Sequence, residues 1–230
     1  KYSSGYWPDH NSTLAEAEAA MLAMTCERAQ LANGQNILEM GCGWGSLTLW
    51  MAAQYPESRI TAISNSASQR EFILARASER GLSNLNVITT DAATFTPDQQ
   101  FDRVVSVEMF EHMRNHRALM GRIHDWLAPG GKLFVHVFCH QELTYLFEDQ
   151  GESDWMARNF FSGGMMPSWN WLPECAEKLQ EEQRWAVNGT HYGRTLEAWL
   201  ALADTHQHEL IPLLEELYGK GEGKRWLQRW

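Results

Sequence analysis

Ile37-Leu38-Glu39-Met40-Gly41-Cys42-Gly43-Trp44-Gly45 is the stretch on which the reading of this sequence turns. An apolar run of strand character ends at Met40, three glycines follow at alternate positions, and a helical pattern opens near Ser46. Glycines at such a junction let a nucleotide or its relative come against the backbone, where a side chain would collide. Spacing then selects the ligand. Dinucleotide enzymes use G-x-G-x-x-G, whereas G-x-G-x-G behind an acidic residue reserves no room for a pyrophosphate. The stretch is read as a loop for a sulfonium cofactor; the plainer alternative is a tight strand-to-helix turn of some other α/β protein.

Outward from that loop, short apolar runs alternate with helical patterns. The runs are Asn36–Met40, Arg59–Ile63, Asn86–Thr90, Asp102–Val107 and Lys132–Phe138, with helices predicted near Ser46–Gln54, Ala67–Arg80 and His116–Leu127. Such alternation predicts an α/β protein of Rossmann-like type, a mostly parallel sheet with helices on both faces. Pro129-Gly130-Gly131 marks a turn into the fifth strand. Upstream, Thr13 and Glu16 form a capping-box pattern for a helix over Leu14–Leu31, with Ala15, Ala19, Leu22, Cys26 and Ala29 on one apolar stripe. The organisation expected is an arm over the cofactor at 1–13, a cofactor-binding core at 14–139, an inserted cap at 140–182, and a C-terminal part of the core at 183–230. Gln183–Val187 is a candidate sixth strand, helices are expected near Thr195–Ala203 and Glu209–Tyr218, and no seventh strand is evident.

The chain has 230 residues, a formal net charge of −10, four Cys and eleven Trp, and is 44% hydrophobic. That length suits one domain, or a domain with a cap. The acidic balance argues against nonspecific nucleic-acid binding, which needs a cationic surface, and favours a cationic small substrate. No apolar run approaches the ~18–20 residues of a membrane span and no signal segment opens the chain, so no stable membrane insertion is expected. Cys26, Cys42, Cys139 and Cys175 are too scattered for a zinc site or a disulfide framework. His206 and His208, like His112 and His116, lack partners at metal-ligand spacing and are read as solvated; no metal is expected. A soluble, reduced, cytoplasmic protein is the default. The chain opens at Lys1 without a Met and stops at Trp230 inside an apolar, helix-like stretch, which reads as a piece of a longer protein.

The pattern Glu39-x-Gly41-Cys42-Gly43-Trp44-Gly45 resembles motif I of class I S-adenosylmethionine-dependent methyltransferases, and more narrowly the branch holding cyclopropane-fatty-acid synthases and coclaurine N-methyltransferase. Tyr2-Ser3-Ser4-Gly5-Tyr6-Trp7, Ile63-Ser64-Asn65-Ser66 with Gln69, Met109-Phe110-Glu111-His112-Met113, Phe138-Cys139-His140 and Phe160 to Ser168 agree with that branch. The resemblance runs nearly end to end. It implies S-adenosylmethionine as cofactor and S-adenosylhomocysteine as product. Gly41 and Gly43 would line the methionine and ribose, Tyr2 and Ser3 would close over the amino-acid end, and Ser64, Asn65 and Gln69 would reach the ribose side. Asp91 and Ala92 would meet the adenine edge; the plainer reading of Asp91 is a cap in a loop. Relative to full-length members, an N-terminal helical region and the final C-terminal strand are missing from this chain. A homodimer is left open.

Glu108, Glu111 and His112 follow the fourth strand, where an open α/β sheet presents its ligand crevice. If the chain turns helical there, they share one face, and burial with like charge raises one carboxyl into the range of a usable base. The alternative is a structural network at the strand end. His136 and Tyr192 match positions that, in the cyclopropane synthases, help hold a bicarbonate base together with Glu111. His136 reads equally well as a satisfied core histidine, and Tyr192 as a cap of the following helix. Trp155, Trp169 and Trp171 are read either as packing or as the wall of a flat pocket for an aromatic or cationic substrate.

Glu-His-Met followed by Arg114-Asn115, and Phe138-Cys139-His140, look more like the N-methyltransferases than the synthases. The expected activity is therefore methyl transfer to a small amine of tetrahydroisoquinoline or other alkyl type. Glu111 with His112 would remove the amine proton, and Glu108 would orient the ammonium. The alternatives are methyl transfer to an unsaturated acyl chain with bicarbonate as base, and a cofactor-binding domain without catalysis.

Overall fold

Ile37, Leu38, Glu39 and Met40 are all buried, and their side chains alternate between two separate layers of helix. Leu38 and Met40 pack with Val104, Leu119, Met120, Ile123 and Trp126. Ile37 packs on the opposite face with Cys26, Ala29, Leu47, Met51 and Val105. A strand covered on both faces needs an unbroken apolar run, and this one has a single exception, Glu39.

The computed structural model describes residues 2–229 except 152, 153, 162 and the side chain of Met156. Ser162 of the Phe160–Ser168 stretch, Lys1 and Trp230 thus lie outside the described residues. In chain order the elements are α1 (Leu14–Arg28), β1 (Asn36–Met40), α2 (Ser46–Gln54), β2 (Arg59–Ser64), α3 (Ala67–Glu79), β3 (Leu85–Thr89) and β4 (Phe101–Val107). A 3₁₀ turn at Phe110–His112 follows, then α4 (His116–Trp126), β5 (Leu127–His136), β6 (Tyr145–Leu146), α5 (Trp155–Asn159), β7 (Met165–Met166) and α6 (Trp171–Cys175). The chain closes with α7 (Thr190–Thr205), α8 (Gln207–Tyr218) and α9 (Gly223–Arg229).

The main sheet has five strands in the order β3-β2-β1-β4-β5, every neighbouring pair parallel. This is the mostly parallel, Rossmann-like sheet that the alternation predicts. The chain starts at the central strand, walks outward through β2 and β3, and crosses back to β4, so the switch in strand order falls between β1 and β4. Ligands of open α/β sheets bind beyond the carboxyl ends of the strands at that point. Met40 pairs with Ser106 in the register, so the loop after β1 and the turn after β4 leave the sheet side by side.

Local rules explain most boundaries. Thr13 and Glu16 form the predicted capping box, the Thr13 amide donating to Glu16 Oε2 at 2.7 Å. Ser66 caps α3 by accepting from the Gln69 amide, and Asn115 caps α4 by accepting from the Ala118 amide. The buried positions of α1 are Ala17, Met21, Thr25 and Cys26, with Ala29 buried just past its end, whereas Ala15 is exposed. The predicted stripe is thus displaced in the first half of the helix. Small apolar residues stand nearly all round α1, so periodicity could not single out the inward face. Pro129-Gly130-Gly131 does not precede β5 but lies within it. Phe101 pairs with Leu127 and Arg103 with Lys132, so the turn is absorbed as an irregularity in the ladder. The segment 183–187 forms no strand.

The chain divides into two compact units. The first comprises Lys1–Ser3 and Leu22–Arg184 and contains the sheet. The second comprises Ser4–Met21 and Trp185–Trp230, with α1 running from one unit into the other. Inside the second unit Thr195 is fully buried; its hydroxyl accepts from the Gly5 amide and the Trp7 indole, both at 3.0 Å, and donates to the His191 carbonyl. α7 begins at Thr190, so Tyr192 lies within its first turn rather than capping it.

Candidate active site

All three glycines of the loop after β1 have positive φ, near 78° at Gly41 and 52° at Gly43, where L side chains are strained. Space is also short. A Cβ on Gly41 would stand 2.5 Å from Met109 Cγ, and one on Gly43 would stand 2.6 Å from the Tyr2 phenol oxygen. The glycines therefore admit two of the protein's own side chains to the loop backbone. Tyr2 is in turn held by Gln69, whose Oε1 accepts from the Ser64 hydroxyl at 2.6 Å. Four of the expected cofactor residues, Tyr2, Gly43, Ser64 and Gln69, thus form one connected group at the carboxyl ends of β1 and β2. Asn65 is exposed beside them, and Ser3 is half-buried next to Tyr2.

Asp91 is exposed, and its Oδ1 accepts from the Ala93 amide at 2.7 Å, the geometry of a loop cap. The same loop is pinned from α4: Arg122 donates to the carbonyls of Ala92, Ala93 and Phe95. Sequence reasoning missed Arg122, whose only signal is its place on the edge of the apolar stripe of α4.

The turn after β4 departs from the expected geometry. Glu108, Glu111 and His112 do not share one helical face, because only Phe110–His112 is helical and Glu108 precedes it at φ 49°. A non-glycine residue there has left the right-handed region, so the helix cannot begin at Glu108. Two environments result. Glu111 is 1% exposed and its Oε2 has no hydrogen-bond partner among the described residues. Burial, reinforced by the charge of Glu108, pushes its carboxyl up to about 8. His112 is exposed instead and stacks on Phe161 with ring centroids 5.3 Å apart; partial desolvation lowers its pKa. His136 ends β5, its Nε2 3.9 Å from Glu108 Oε1, and its carbonyl accepts from the Glu108 amide at 2.8 Å. Tyr192 belongs to the second unit, its ring edge-on to Trp199.

The aromatic wall beside His112 is made of phenylalanine. Phe161 lies within 4.8 Å of the rings of Phe147 and Phe160 and 5.6 Å of Phe138. Two of the tryptophans are engaged in other ways. Arg184 covers the Trp169 ring, and Trp171 donates its indole N–H to His116 Nδ1 at 2.7 Å. His116 is not solvated, as its spacing suggested, but 1% exposed. It stands one turn ahead of Leu119 and Met120 on the buried stripe of α4, and that phase was the missed signal. The other unforeseen polar group is Glu39. Its buried carboxyl accepts from the Thr48 hydroxyl at 2.5 Å, and burial raises it to about 8. Among the described residues no three His, Cys, Asp or Glu side chains converge on a metal-sized site, and no helix is long and apolar enough to cross a membrane.

A family model described as mycolic acid cyclopropane synthetase matches residues 1–220. (S)-Coclaurine N-methyltransferase of Thalictrum flavum subsp. glaucum is 38% identical over 222 residues, covering 96% of this chain and 62% of that protein. Pavine N-methyltransferase of the same plant is 36% identical, covering 96% of this chain and 63% of the relative. The chain thus spans less than two thirds of the length of either curated relative. Among solved structures, coclaurine N-methyltransferase bound to N-methylheliamine and SAH superposes with a TM-score of 0.92 at 34% identity, over 99% of this chain and 69% of that one.

Proposed function

This chain belongs to the mycolic acid cyclopropane synthetase family, and from that premise we propose that it is an S-adenosylmethionine-dependent N-methyltransferase acting on a small, ring-bearing amine. The observation that carries the reading is the buried Glu111 carboxyl, its Oε2 without a hydrogen-bond partner among the described residues, beside a second acid, Glu108, at the carboxyl end of β4.

The residues fit the cofactor by a glycine loop at positive φ that lets Tyr2 close against its backbone, beside the polar Ser64–Gln69 pair. Gly41, Gly43, Tyr2 and the Ser64–Gln69 pair would hold it, with Ser3, Asn65, Asp91 and Ala92 around them. Bound there, S-adenosylmethionine supplies a methyl group on a sulfonium, a potent leaving group. The chain's task is to deliver a neutral amine, because an aliphatic amine is protonated at neutral pH. Glu108 holds the ammonium by charge, and Glu111 takes its proton at Oε2. An ordinary carboxylate lies about six pH units below an alkyl ammonium, so proton transfer would be uphill by about 8 kcal/mol; a carboxyl near 8 leaves roughly 3 kcal/mol. The free carboxyl is ionised, and able to accept, as pH rises through about 8. Phe138, Phe147, Phe160 and Phe161 offer ring faces to an aromatic amine, and uncharged His112 stands beside them as a second acceptor.

A second reading shares the site. The family description and the buried Glu111 Oε2 would also serve a bicarbonate base for an unsaturated acyl chain, with His136 as a further ligand. Transfer of labelled methyl to a panel of primary, secondary and ring-bearing amines, with an unsaturated phospholipid in parallel, separates the two. Label in an amine supports the proposal, and label in the lipid alone overturns it.

Gly43→Ala tests the cradle. Strain at positive φ of about 1–2 kcal/mol, together with displacement of Tyr2, is expected to weaken SAH binding by about tenfold or more in calorimetry. Tyr2→Ala in the same background should add little, because the Tyr2 contact is already lost. Fully additive losses would show that the two residues act apart.

A further inference from the structure

We infer that His116 is a positioning residue for the Glu111 turn, and that Trp171 on α6 fixes the tautomer in which it does so. The inference rests on the reading of Glu111 as base, and the geometry behind it is a three-part chain of contacts. An indole N–H can only donate, so the Trp171 bond at 2.7 Å leaves the lone pair on His116 Nδ1. The neutral ring then carries its proton on Nε2, which donates to the Phe110 carbonyl at 2.7 Å. That carbonyl also accepts from the Met113 amide at 2.9 Å, the bond that closes the 3₁₀ turn. Both of its lone pairs are used, and the residue that follows is Glu111.

The ring does more than bond. It lies parallel to Phe110, with centroids 5.7 Å apart and planes 17° off, and both side chains are buried. Burial lowers the His116 pKa, which keeps the ring neutral; an imidazolium would turn an N–H toward the indole N–H. The turn is clamped again from the segment before α6, where a Cβ on Gly164 would strike the Glu111 carbonyl. A short 3₁₀ turn makes few bonds of its own. The exclusion of water from Glu111 therefore depends on these outside contacts.

Three variants of the full chain test this: Trp171→Phe, which keeps a ring but removes the donor; His116→Phe, which keeps the stack but removes both bonds; and His116→Gln, whose amide can still donate to the Phe110 carbonyl. Glu108, the charged neighbour acting on Glu111, is left in place throughout. The readout is infrared titration of the Glu111 carboxyl without ligand, assigned by the band lost in Glu111→Gln, alongside kcat and KM on the best amine. The expected result is a wild-type midpoint near 8 that falls by at least one pH unit in Trp171→Phe and His116→Phe as water reaches Oε2. Turnover should drop about tenfold with KM little changed, and His116→Gln should restore most of both. A midpoint that stays near 8 in the first two variants overturns the positioning role. Undiminished turnover in Glu111→Gln instead overturns the base assignment on which the role rests.

Discussion

Glu111→Gln is expected to lower methyl transfer to an amine by about 10²–10⁴-fold, the range a positioned general base supplies, while SAH binds as tightly as before. The separation is expected because Glu111 stands on the turn after β4, whereas the proposed cofactor contacts lie at the loop after β1 and at Ser64 and Gln69. A cofactor-binding domain without catalysis would show no turnover to lose, and unchanged turnover in the variant would remove the base. The pH dependence adds a second arm. A free-enzyme base near 8 gives kcat/KM an ascending limb there, and Glu111→Gln should abolish that limb. Stability should move oppositely. A carboxyl raised in the folded state contributes stability below the ordinary carboxylate range and loses it as pH rises toward about 8, by about 1.4 kcal/mol per pH unit. Glu39 and Glu111 both titrate in that sense. The thermal midpoint of the native chain should fall between pH 5 and pH 8. In Glu111→Gln it should fall less steeply, because one of the two groups is gone.

The fold was legible because its signals are local and repeated. Five apolar runs separated by helical patterns specify a parallel sheet, and the glycine spacing marks the cofactor loop. The details that failed are those where local signals are silent. α1 is rich in small residues all round, so its inward face was misplaced. Pro129-Gly130-Gly131 reads as a break, yet parallel pairing resumes across it. At the site, residue types were legible and their environments were not. Glu111 and His112 are adjacent in sequence, but one is buried with its Oε2 unpartnered among the described residues and the other stacks on Phe161. His116 looked like a surface histidine until its phase on α4 is set against Leu119 and Ile123. Trp171 could not be assigned to it from sequence, because the partners are 55 residues apart.

Glu108→Gly should make the protein slightly more stable and much less active. At φ 49° the native residue occupies backbone that costs an L side chain about 1–2 kcal/mol and costs glycine almost nothing. Glycine gives back part of that by loosening the unfolded chain, so a net gain of about 0.5–1 kcal/mol is expected, read as a raised denaturant midpoint. The 3.9 Å approach to His136 is lost as well and works against that gain. Activity should respond in the other direction. If Glu108 holds the ammonium, its removal takes away a charge partner in a half-closed site, where such losses reach about 2–5 kcal/mol. kcat/KM on the amine should then fall by about 30-fold or more, mostly through KM. A backbone kept in strain by an acid whose removal stabilises the fold is what a site under functional demand would show. The same variant separates the two substrate classes. An uncharged acyl chain gains nothing from a carboxylate at this position, so lipid transfer undiminished in Glu108→Gly would point to the acyl acceptor. An amine activity that collapses while the protein becomes harder to unfold would tie Glu108 to a cationic substrate.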